Sequence, residues 1–106
     1  MTRKTKDRGA NNVLVDLQFP DAEELTAKTI LAKKVNDITK ARGLTQVDTA
    51  ELLGMPQPEV SAIRNYKLRG ISLERLMQAL TALGQHVEIV VTASTKEAPP
   101  RIDVAA

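Results

Sequence analysis

The chain contains no cysteine and no tryptophan. Without thiols it has no disulfide, no thiolate metal site and no cysteine nucleophile, a usage that agrees with a reducing compartment. One tyrosine and one phenylalanine are its whole aromatic content, so the core must be aliphatic, which suits a small helical bundle. No stretch approaches the roughly 18 apolar residues of a membrane span. The charged N-terminus has no apolar segment behind it, so no secretory signal is read there. A soluble, cytoplasmic protein is expected. The only histidine, His86, has no clustered carboxylate near it in sequence, and no glycine-rich phosphate loop occurs. Glu23 and Glu24 are adjacent, which sets them on different faces of a helix. No catalytic set, metal site or cofactor is therefore expected, and the protein is read as no enzyme.

What is present fits one small domain: 106 residues, 42% of them hydrophobic. A net charge of +2 is small for a sequence pI of 9.1, and much of the excess sits in an N-terminal arm where Arg3, Lys4, Lys6 and Arg8 outnumber Asp7. Such an arm can lie along phosphates, although most tails of this composition are solvated. A second local excess is Arg64, Lys67 and Arg69, with no acidic residue among them.

Residues 1–12 read as a disordered basic arm. From Val13 to Phe19, apolar residues alternate as an extended segment would. Asp21 and Glu24 have capping-box spacing, opening a long helix to about Arg42. Ala27, Leu31, Val35 and Ile38 share its inner face, with Lys28, Lys33, Lys34, Asp37 and Lys40 largely off it. Gly43 suits the position just past its end. Thr45 caps a second helix whose Ala50 and Leu53 face inward. After a turn at Gly54, Gln57 caps a third helix with Pro58 in its first turn and Val60 and Ile63 buried. Ser72 caps a fourth, striped by Leu73, Leu76, Met77, Leu80 and Leu83 and ended by Gly84. The period then falls from 3.6 to 2 over residues 85–92, which reads as a strand with Val87, Ile89 and Val91 on one face. A lone strand leaves its backbone groups unpaired, so pairing with a second copy across a twofold axis is expected, making a homodimer. Residues 93–106, with Pro99 and Pro100, read as a disordered tail.

Two short helices joined at Gly54 can present the second to a DNA groove. The residues Leu44 to Gly54, Gln57 to Ser61, Ile71 to Leu76 and Leu80 to Gly84 together resemble the Xre/Cro-like helix-turn-helix family. The likeness to its HigA-type antitoxin branch extends to the flanks, through Val15 to Leu17, Pro20 to Glu24 and His86 to Val90. It covers roughly residues 13–92. The resemblance implies a mainly α fold, a compact four- to five-helix bundle of lambda-repressor-like type, with the C-terminal β-strand pairing in a dimer. It also implies a sequence-specific DNA-binding regulator that represses its own operon at a palindromic operator and pairs with a RelE-like toxin.

Carried over by position, Gln46 matches a phosphate-binding glutamine, which sets register without reading sequence. Gln57 matches a base-reading position, where an amide can bond adenine's major-groove edge. Pro58, Ser61 and Ala62 share its exposed face, and Arg64, Lys67 and Arg69 would neutralise flanking phosphates. A plainer reading makes Gln46 and Gln57 helix caps and the cations a solvated surface. The sequence departs from the family at Thr49, where an apolar residue is common, and at Tyr66, where a glycine usually ends the reading helix. Asn65 could take the left-handed conformation instead. Glu59 would repel phosphates unless it met a cytosine amino group. The competing function is a protein-interaction module that masks a toxin without useful DNA affinity.

Overall fold

The computed structural model describes residues 21–97 and 99–106, and of Asp21 the backbone alone. The basic arm, the extended segment from Val13 to Phe19 and the capping role of Asp21 lie outside that description. Among the described residues four helices form: α1 (Asp21–Ala41), α2 (Gln46–Leu53), α3 (Gln57–Arg64) and α4 (Leu73–Ala82). The 21-residue α1 is a spine, packing chiefly on α4, while α2 and α3 pack on each other and fill the remaining side.

The core is the aliphatic set that helical spacing predicts. Leu31, Ala32 and Val35 of α1 meet Val60 and Ile63 of α3 and Leu76, Ala79, Leu80 and Leu83 from α4 and its end. Met55, Leu68 and Ile71 close it from the connecting loops, and Leu73 and Met77 pack at its edge. Fully burying a side chain of this size is worth about 1.5–3 kcal/mol, so this cluster, rather than the propensity of such short helices, holds α2 and α3 in shape.

All four helices stop in the same way. The first or second residue past each end turns to positive φ, at Gly43, Gly54, Tyr66 and Gly84. Its N–H and the next one return to carbonyls of the last turn, as in Gly84 to Thr81 at 2.9 Å and Gln85 to Leu80 at 2.9 Å. This double bond pattern satisfies carbonyls that a helix end otherwise leaves bare.

Polar side chains of α1 tie the bundle together, and one of them corrects the sequence reading. Lys28, expected off the inner face, is 5% exposed. Its apolar stem lies in the core while Nζ donates to the Leu68 carbonyl at 3.1 Å and sits 3.5 Å from the Glu24 carboxylate, which gives the buried charge partners. Asn36 donates to the Ile63 carbonyl at 3.1 Å. Arg42 donates to the Leu83 carbonyl at 2.6 Å, placing a cation at the negative end of α4. By contrast, the exposed Lys33–Asp37 pair raises the lysine's pKa through its hydrogen bond to Asp37 but contributes little to stability.

The strand expected over residues 85–92 does not form within the chain: no strand occurs among the described residues. Val87 packs against the core, but Ile89 and Val91 are 73% and 90% exposed. Nothing in the described chain supplies a neighbouring edge, and a strand is defined by the ladder it shares. Beyond it the tail has no regular structure, yet Val104 packs at the core's edge and the Ile102 N–H donates to Glu23 Oε1 at 3.0 Å.

Candidate nucleic-acid interface

Thr45 fixes the start of α2. Its side chain accepts from the Asp48 N–H at 3.0 Å, and Asp48 accepts in return from the Thr45 N–H at 3.3 Å, a reciprocal cap. Capping is therefore done by Thr45, and Gln46 is left as the first helical residue, half-buried. The side chain of a residue there lies beside free backbone N–H groups and the positive end of the helix, where an anion is favoured.

The turn to α3 runs through Gly54, Met55 and Pro56. Met55 is buried and pins the turn to the core. The N-cap is Pro56, which offers no side-chain hydrogen bond, and Pro58 occupies the first turn. This corrects the expectation that Gln57 caps the helix: Gln57 is already helical, and it is exposed. Its amide is not spent on its own backbone.

Along α3, Val60 and Ile63 point inward, and the opposite side carries Gln57, Pro58 and Ser61, continued by Asn65. Gln57, Pro58 and Asn65 are exposed and Ser61 is half-buried. Ser61 Oγ accepts from the Asn65 amide at 3.4 Å and the same amide donates to the Ser61 carbonyl at 2.9 Å. Ala62 sits differently from the expected exposed face. It is half-buried and packs at the edge of the core, because it lies between the two inward residues' stripe and the exposed side.

Two departures seen in the sequence are resolved by geometry. Thr49 is 1% exposed, and its hydroxyl is satisfied by donating to the Thr45 carbonyl at 2.7 Å while accepting from Arg64 at 3.4 Å. Arg64 also donates to the Leu44 carbonyl at 2.7 Å. Its guanidinium thus latches the end of α3 to the start of α2 and sets the angle between the two. Asn65, the expected left-handed residue, instead lies at φ −98°, and Tyr66 itself takes φ 58°. The Lys67 N–H then reaches the Ala62 carbonyl at 2.8 Å, so the loop bearing Lys67 and Arg69 leaves α3 along the path a glycine would give. Lys67 and Arg69 are both exposed.

The charge of Glu59 has a partner that local sequence does not reveal. Its Oε1 accepts from Arg75 Nε at 3.1 Å and Nη2 at 2.7 Å. Arg75 is held in place in turn because its backbone N–H donates to the Ser72 side chain at 3.0 Å. The capping residue was legible from Ser72 alone; the cross-helix pair was not.

A shallow groove of about 500 Å³ bordered by Lys40, Arg64 and Tyr66 is open to solvent. Among the described residues no three histidines, cysteines or carboxylates gather as metal ligands, and no helix is long and apolar enough to cross a membrane.

Four helices with α2 and α3 joined by a tight turn, and α3 exposed along one side, define a helix-turn-helix protein. The chain belongs to that family: residues 13–92 match the model of a helix-turn-helix domain, and the wider resemblance to Xre-like, HigA-type proteins holds. Over 95 residues it is 36% identical to a protein of Mycobacterium tuberculosis (strain ATCC 25618 / H37Rv) described as "putative antitoxin HigA3", the match covering 85% of this chain and 87% of that protein. A solved structure described as a "putative XRE family transcriptional regulator" superposes with a TM-score of 0.75 at 49% identity, covering 82% of this chain and 99% of the other. This is a family of regulators and antitoxins, not of enzymes.

Proposed function

We propose that the chain is a sequence-specific DNA-binding transcriptional regulator that acts as the antitoxin and autorepressor of a toxin–antitoxin operon. The observation that carries the reading is the start of α3, where an N-cap without a side-chain bond leaves Gln57 helical and exposed, with the names of both relatives in its support. In this reading Gln57, Pro58 and Ser61 meet base edges and Ala62 lies at the margin of the groove. Gln46, Lys67 and Arg69 hold phosphates and so fix register. Arg64 acts through the latch that orients α3. Two copies, joined through residues 85–92, place their reading helices roughly 34 Å apart on a palindromic operator. A RelE-like toxin is the protein partner.

The test is binding to a duplex enriched by the protein from a random-sequence pool. Gln57→Ala should weaken that duplex by about 10- to 100-fold, the worth of one bidentate base contact, while leaving non-specific binding unchanged. Equal affinity and equal preference in the variant would remove Gln57 from the reading set. One observation favours the alternative, a module that masks a toxin without significant DNA binding, namely the exposed apolar run Ile89, Val90 and Val91, which a toxin would then cover in place of a second copy. The two are separated by salt, since phosphate contacts weaken steeply as salt rises and an apolar interface does not.

A further inference from the structure

Arg75 stands where helix formation gives no reason for a cation. It is the third residue of α4, beside the positive end of the helix macrodipole, a place that favours acidic side chains. Its side chain does not turn to solvent but crosses to α3, where two of its nitrogens converge on one oxygen of Glu59. Both partners are about two-thirds buried, at 35% and 28% side-chain exposure. Glu59 itself immediately follows Gln57 and Pro58, and an unpaired carboxylate there would stand close to any polyanion lying against the start of α3.

We infer that Arg75 is a positioning residue for DNA recognition, drawing the Glu59 carboxylate towards α4 and cancelling its charge so that the first turn of α3 can approach phosphates. The inference rests on the DNA-binding reading above. Arg75 acts through Glu59 and makes no base contact. Opposite charges so placed set which partners can approach more than they set raw stability.

The probe is the duplex enriched by the wild-type protein. Arg75→Met should weaken binding about tenfold at low salt, in line with the cost of exposing a like charge to a charged partner, and the deficit should shrink as salt rises. Adding Glu59→Gln to Arg75→Met should restore affinity to within about threefold of wild type, because the offending charge is gone. Glu59→Gln alone should bind within about threefold of wild type or tighter, and this variant carries the test if Arg75→Met unfolds. A merely structural role for Arg75 predicts a deficit that does not shrink as salt rises, and that result would overturn the inference, as would no rescue by Glu59→Gln or unchanged binding by Arg75→Met. A tenfold loss in Glu59→Gln alone would overturn it too, by making the carboxylate a base reader. If the wild-type protein enriches no sequence, the DNA-binding reading fails first and the inference goes with it.

Discussion

Tyr66 is the one described non-glycine residue at positive φ, and it stands where the other three helices place glycine. For an L-residue that conformation costs about 1–2 kcal/mol, and a side chain 45% exposed recovers only part of it through packing. Tyr66→Gly should therefore stabilise the protein by about 0.5–1 kcal/mol, part of the relief being offset by the greater unfolded-state freedom of glycine. Chemical denaturation with an unchanged m-value checks this. A loss of stability would mean that the ring's contacts outweigh the strain. The resemblance to the family marks the position as unusual, since a glycine usually stands there. Which residue would turn left-handed was not legible in the sequence, because Asn65 and Tyr66 are neighbours and the choice depends on where the Lys67 N–H must arrive. Glu59 teaches the same lesson about charge: its surplus is visible in the sequence, but its partner lies sixteen residues away on another helix.

At the scale of elements, the start of α2 and of α4 and three of the stops were readable because their determinants are local: Thr45 and Ser72 as caps, Gly43, Gly54 and Gly84 as stops, and the leucine stripe of α4; the two ends of α3, at Pro56 and Tyr66, were not. The long-range ties were not readable. Lys28 falls at the edge of α1's apolar stripe, and its type alone assigns it to solvent; only the packed fold offers it the Leu68 carbonyl. That bond holds the middle of the loop between α3 and α4, with Lys67 and Arg69 on either side of the bonded residue. Lys28→Met keeps the stem but removes the charged donor, leaving the carbonyl of the buried Leu68 with the Ile71 N–H at 3.0 Å as its remaining donor. The expected cost is about 1–2 kcal/mol, with faster amide exchange in residues 66–71 than in the core of α1. Uniform exchange changes across the chain would show that the tie serves general stability and not this loop.

For the whole molecule, the unresolved demand is at the C-terminal side. A helical bundle of this size closes its core within one chain, and yet Ile89, Val90 and Val91 are 73%, 74% and 90% exposed. An exposed apolar run of high β-propensity invites pairing with another strand. A period of two over residues 85–92 reads as a strand, and the described chain forms none there; a ladder needs a second edge, and a sequence does not say whether that edge lies in the same chain. In the dimer proposed above, antiparallel pairing of two copies would supply it symmetrically, each protomer offering the same segment. In the proposed dimer, Ile89→Lys would put two like charges across the twofold-related interface. It should leave the helical signal and the folded core intact, since Ile89 is not among the residues that pack there. It should also convert a dimer to a monomer in sedimentation at micromolar concentration. Losing the second reading head removes the gain from effective concentration, so affinity for a palindromic duplex should fall by about 100-fold or more, while a duplex carrying one half-site is bound as before. A variant that still sediments as a dimer would show that the two copies meet through another surface, and the exposed run would then be left to a different protein partner.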